Sequence, residues 1–181
     1  MNINWIISED INNNIDPKSI KDIAPSWGNY KTHKKYKTDN CICNTTSEIM
    51  PLIKQGYSFI SNLWIPVINE EEFKEYNLRY YAGAFKKETF PNKEDFICFN
   101  LTKNSDIILL LGFDFRPVSD MKLKGKKRTN RLNYYLNVSD FIKDNPKKQY
   151  VLVDYNKELS PMFLDIPNLV QDSYKSVKEL L

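Results

Sequence analysis

Only five of the 181 residues are glycine, and no Gly-x-Gly or Gly-Lys-Ser/Thr occurs. This excludes the glycine-rich loops with which dinucleotide-binding and P-loop proteins cradle phosphate. Histidine is scarcer still. His33 stands alone in the basic Lys31–Lys37 stretch, which leaves a zinc site short of ligands and makes catalysis by His33 the lesser reading. The three cysteines are an odd number, and Cys41 and Cys43 fall on one face of a strand, where direct pairing is geometrically poor. A disulfide framework is excluded, and buried thiols in a reduced, intracellular chain are expected. No apolar stretch is long enough to cross a membrane, and Glu9 and Asp10 directly follow the first apolar run, which is not a signal peptide. A soluble protein with no membrane partner follows, and neither a metal nor a cofactor is expected.

What the chain has is core-forming material, 41% hydrophobic and 13% aromatic, enough for a single domain spanning 1–181. Residues 105 to 115, Ser-Asp-Ile-Ile-Leu-Leu-Leu-Gly-Phe-Asp-Phe, carry most of the information. A continuous apolar run ending in Gly-Phe-Asp reads as a strand buried on both faces. That requires helices on both sides of a mainly parallel sheet. The predicted fold class is therefore α/β, a Rossmann-like three-layer sandwich. Ligands of such sheets sit past the carboxyl ends of the strands, which nominates Gly112, Asp114 and Arg116.

Strands are expected at 3–8, 39–43, 106–113 and 149–155 in one sheet. A short helix over 17–24 follows from Asp16-Pro17 and Pro25, and Ser26 to Tyr30 reads as a turn. Thr45 and Glu48 form a capping-box pattern opening a helix, in which Pro51 is awkward. Tyr57–Ile68 and Leu78–Phe85 have strand composition and are expected to pair outside the central sheet, with a glutamate-capped helix between them. Asn92-x-x-Asp95 is cap-like and opens another helix. After a basic loop, Leu132, Tyr135, Leu136 and Ile142 recur at helical spacing, and Ser173–Leu181 forms a final helix.

Strand alternation places Gly112 and Asp114 on one face and both phenylalanines on the other. There the carboxylate can accept hydrogen bonds from ribose or sugar hydroxyls, or simply pair with Arg116. Ser8-Glu9-Asp10, Ser26-Trp27-Gly28-Asn29 and Asn44-Thr45-Thr46 converge on the same edge if strands 3–8, 39–43 and 106–113 are neighbours. Residues 122–131 hold six basic side chains and no acid, and can be read as a phosphate clamp or as a solvated loop. Their lysines have no interleaved aromatics on which bases could stack, so little specific affinity for nucleic acid is expected. The net charge of +3 and pI near 8.6 rest mainly on lysine, and the heavy use of Lys, Asn, Ile and Tyr matches an AT-rich coding genome.

With Ile23 to Gly28, Thr38 to Cys43 and the Asp106–Asp114 strand in view, the chain resembles uncharacterised proteins of marine tailed phages. The resemblance implies the cytoplasm of an infected bacterial host. In a second likeness, Asp39–Asn44, Asp106–Phe115 and Tyr150–Leu169 are similar to strand edges of Rossmann-like sialyltransferases and of pterin pyrophosphokinase-like proteins. That likeness implies a nucleotide donor held at Asn44 and Asp114. Ser8-Glu9-Asp10-Ile11 stands where those families carry Gly-Asn-Gly-Pro-Ser, and no histidine lies in the second half to act as base.

The expected function is binding of a nucleotide or nucleotide sugar, as in a reduced glycosyltransferase relative, through Ser8, Asn44, Thr45, Asp114 and Arg116, with no catalytic residue assigned. The alternative is a non-catalytic module that binds a protein partner during phage infection. An exposed apolar patch around Trp64, Tyr80 and Tyr81 would favour it.

Overall fold

The computed structural model describes residues 1–9, 19–20, 22–57, 61–81 and 93–180. Eight strands form one sheet, β1 (Ile3–Ile7), β2 (Ser26–Asn29), β3 (Asn40–Ile42), β4 (Asn62–Pro66), β5 (Arg79–Tyr81), β6 (Ile107–Leu111), β7 (Gln149–Val153) and β8 (Leu169–Asp172). Their order is β5-β4-β3-β2-β1-β6-β7-β8, and every pairing is parallel. The order reverses between β1 and β6, which makes their carboxyl ends the topological switch point. Seven α-helices are described, α1 (Tyr30–Tyr36), α2 (Thr46–Lys54), α3 (Glu70–Phe73), α4 (Lys93–Leu101), α5 (Gly125–Lys143), α6 (Pro161–Leu164) and α7 (Tyr174–Leu180).

Side-chain parity along the strands separates two buried layers. Ile6, Ile108, Leu110, Tyr150 and Leu152 pack with Ile97 and Phe99 of α4, Tyr135 and Val138 of α5 and Phe163 of α6. The alternate residues Trp5, Ile7, Leu109, Leu111, Val151 and Val153 pack with Ile20, Tyr36 and Val177. Cys41, Cys43, Leu63 and Ile65 form a third cluster with Ile49, Leu52 and Phe73. Period-two alternation with both faces apolar is what a parallel sheet sandwiched between helices requires, so the expected three-layer α/β fold is present.

Several local expectations are corrected. Ser26–Asn29 is not a turn but strand β2, placed between β1 and β3; it contains no β-branched residue, so propensity could not reveal it. It is held by tertiary contacts. Asp39 accepts from the backbone and hydroxyl of Ser26 at 2.9 and 2.7 Å, and the Trp27 indole donates to Asn4 at 2.9 Å. A Cβ on Gly28 would lie 2.9 Å from Thr32, so glycine is what lets α1 approach the sheet. The strand at 39–43 is consequently not a neighbour of β1. β4 and β5 do not pair outside the sheet; they extend it in parallel from β3, because the intervening α3 makes a crossover rather than a hairpin. Pro51 lies inside α2, which starts at Thr46, and the expected basic loop is largely helix, since α5 begins at Gly125. β8 was not anticipated at all. Of the helix expected over 17–24, residues 19 and 20 are helical and residues 22–24 form a turn, while residues 17, 18 and 21, the Asn92 cap and residues 82–85 of the expected strand lie outside the described residues.

Candidate functional site

One residue beyond the last β1–β6 pair, Ile7 with Leu111, Ser8 and Gly112 lie side by side at the switch point. The Ser8 amide continues the ladder to Leu111 O at 2.9 Å. Gly112 has φ +74°, a left-handed conformation that suits glycine. Its bend resets the alternation. Phe113 and Phe115 enter the layer of Ile108 and Leu110, where unbroken alternation would have put them on the opposite face.

Ser8 itself follows the parity of Ile6 and points into the α4–α5 layer. Its hydroxyl donates to Asp95 Oδ2 at 3.0 Å, and the Tyr134 hydroxyl donates to the same oxygen at 3.1 Å. Asp95 is 2% exposed. Burial pushes its carboxyl up to about 7, against the lowering effect of these two hydrogen bonds, and the nearby Glu94 and Glu9 push in the same upward direction. The Tyr134 hydroxyl is raised in turn by burial and by Asp95. A carboxyl that gives up its proton near neutrality at a switch point is a marker of functional sites.

The neighbouring residue of α4 faces the other way along the edge. Glu94 accepts from the Asn44 side-chain amide, and Tyr81 donates to Asn44 Oδ1 at 2.9 Å. The expected capping box does not form: Thr45, at the N-cap, makes no side-chain cap, and Glu48 accepts at 2.7 Å from the backbone of Asn44, one residue before the N-cap. Glu9 accepts from Asn29 at 2.7 Å and pairs with Lys31 at 3.2 Å. Glu9, Asn29, Tyr30, Lys31, Glu48 and Glu94 together line a cavity of about 250 Å³ at the carboxyl ends of β1, β2 and β3. Larger concavities of about 560 Å³ at β7–β8 and about 450 Å³ at the opposite sheet edge are lined by neither Ser8 nor a residue next to Asp95. In the former, Asp154 and Asp172 are occupied in accepting the Tyr174 and Ser173 amides.

The five expected ligand residues thus divide. Ser8 and Asn44 are drawn together through the adjacent Asp95 and Glu94, whereas Thr45 is exposed beside them and bonds Ser47. Asp114 is 6% exposed and paired with Arg116 at 3.0 Å and Lys157 at 3.3 Å; among the described residues no hydrogen bond joins it to Ser8, Asn44 or Thr45. Tyr135 anchors that loop by donating to the Asp114 and Arg116 carbonyls, both at 2.8 Å. Because Tyr134 and Tyr135 are consecutive, with ring centroids 6.2 Å apart, α5 links the two halves of the edge. Asp95, Glu94, Tyr134 and Lys157 were not nominated by sequence. The Asp95 signal was visible only as a helix-start carboxylate, which usually caps and stays wet.

His33 is buried, 3.0 Å from the Thr38 hydroxyl and edge-on to Tyr57, a packing position. Cys41, Cys43 and Cys98 are buried free thiols, and among the described residues no cluster could hold a metal. Tyr81 is 4% exposed and Trp64 packs on Trp27, so the apolar patch that would have favoured a protein-docking module is not formed by these residues. Among the described residues no helix is long and apolar enough to cross a membrane. No protein-family model, curated protein or solved structure matches this chain.

Proposed function

We propose that the switch-point edge binds a nucleotide or nucleotide sugar. The observation that carries this reading is the division of charge across the switch point. On the β1–β3 side the cavity offers three carboxylates, an amide and one lysine, acceptors suited to ribose or sugar hydroxyls and ill suited to phosphate. On the β6–β7 side two cations, Arg116 and Lys157, share the single carboxylate of Asp114, which leaves an excess positive charge for a phosphate. Ser8, Asp95 and Tyr134 lie between the two. The absence of a glycine loop is consistent with this arrangement, because phosphate is met by side chains rather than by backbone amides.

Thermal-shift screening against nucleosides, nucleotides and nucleotide sugars tests the reading, followed by titration calorimetry of any hit on wild type and Glu9→Gln. Glu9 is partly exposed and lines the cavity, so the substitution should leave the fold intact. Loss of a charge-assisted hydrogen bond to a hydroxyl should weaken binding about tenfold or more. No hit among phosphorylated ligands, or hits indifferent to Glu9→Gln, would overturn it.

A further inference from the structure

Lys122, Lys124, Lys126, Lys127, Arg128 and Arg131 fall within ten residues, and residues 121–139 contain no acid. Without these six, the chain has 20 Lys and Arg against 23 Asp and Glu, a net charge of −3 in place of +3. This one stretch therefore carries enough charge to decide the sign of the protein's net charge. The structure converts it from the expected loop into the approach to, and first two turns of, a 19-residue helix. Five of the six side chains are exposed, and among the described residues none is paired with a carboxylate; only Arg131 has a partner, lying over the rings of Tyr134 and Tyr135.

Cations in the first turn oppose the helix dipole. α5 has no acid in that turn and no side-chain cap at Lys124, and a Cβ at Gly125 would meet nothing within 4 Å. This end of the helix is left open, and an anion would remove the repulsion that its own sequence creates. Beyond the cations, the accessible positions of α5 continue with Thr129, Asn130, Asn133 and Asn137. Lys126, Asn130, Asn133 and Asn137 follow one another at helical spacing over about 16 Å.

We propose that the basic N-terminal end of α5, with the Lys126–Asn137 stripe running on from it, docks on the phosphate backbone of a nucleic-acid duplex. Lysine and arginine neutralise phosphates, and exposed amides and a hydroxyl hydrogen-bond phosphate oxygens and groove edges. A lipid surface is a poorer fit, because Leu136 is the only large apolar side chain of α5 among those strongly exposed. The face presents no exposed aromatic ring, which disfavours single strands but places no limit on a duplex.

The test is fluorescence anisotropy with a labelled DNA duplex, the matching RNA duplex, the single strands and anionic phospholipid vesicles. Both the full chain and the Lys126→Ala/Lys127→Ala/Arg128→Ala variant are measured across a salt series. The variant removes charges that oppose the helix dipole, so its melting temperature should be unchanged or higher. Wild type should bind at least one duplex with log K falling about five per decade of salt, and the variant should lose about three of that slope. The proposal is overturned by absence of duplex binding at about 50 mM salt, by an unaltered slope in the variant, or by tighter binding to single strands or vesicles. These charges are not those probed by Glu9→Gln, so the outcome is independent of the nucleotide reading.

Discussion

Replacing Asp95 by asparagine should stabilise the protein above neutral pH, which is unusual for a buried polar residue. The carboxyl's ordinary value is 3.8 and the fold raises it to about 7, so the native state holds the proton more tightly than the unfolded chain by about 4 kcal/mol at 1.36 kcal/mol per pH unit. For a raised carboxyl the contribution is fully present below 3.8 and is lost as pH climbs to about 7. About 3 kcal/mol of that loss develops between pH 5 and pH 8. Asparagine keeps an oxygen for the Ser8 and Tyr134 hydroxyls and has no proton to lose, so the variant should lack this pH dependence. With about 2–4 °C per kcal/mol for a chain of this size, the melting temperature of Asp95→Asn relative to wild type should rise by about 6–12 °C between pH 5 and pH 8. Calorimetric scans of both proteins at the two pH values measure it. An equal loss of stability at both would show that the two hydroxyls hold a carboxylate that is ionised throughout, and the reasoning from burial would fail.

Gly112→Ala should cost about 1–2 kcal/mol, because a side chain is disfavoured at φ +74°, and it should show as a lowered melting temperature; an unchanged melt would mean that the strand end relaxes freely. Asp114→Asn should destabilise by about 1–2 kcal/mol, the value being held down by the partial exposure of Arg116 and Lys157. It should not weaken nucleotide binding, since the carboxylate is already engaged by both cations; calorimetry showing lost affinity with an unaltered melt would place Asp114 in contact with ligand.

The sheet was legible in the sequence wherever burial on both faces left a mark. Ile107–Leu111 and Gln149–Val153 are apolar or β-branched almost throughout, and only the centre of a helix-covered parallel sheet accommodates such runs. Ser8 and Asn44 were legible as strand-end polar residues for the same reason, since the carboxyl edge follows from the strand and its direction. Ser26–Asn29 was not legible. A strand made of Ser, Trp, Gly and Asn is stabilised by the packing of Thr32 on Gly28 and by Asp39 and Asn4, whose partners lie 13 and 23 residues away in sequence. The basic stretch before Leu132 kept its charge but changed its conformation, because the helix is carried by Tyr134, Tyr135, Val138 and Ile142 packing on the sheet rather than by its own first turns. Asp95 was decided entirely by tertiary structure. A carboxylate at a helix start is ordinarily solvated, and only the crossing of α4 over the end of β1, with Tyr134 closing from α5, removes the water and brings its proton into the neutral range.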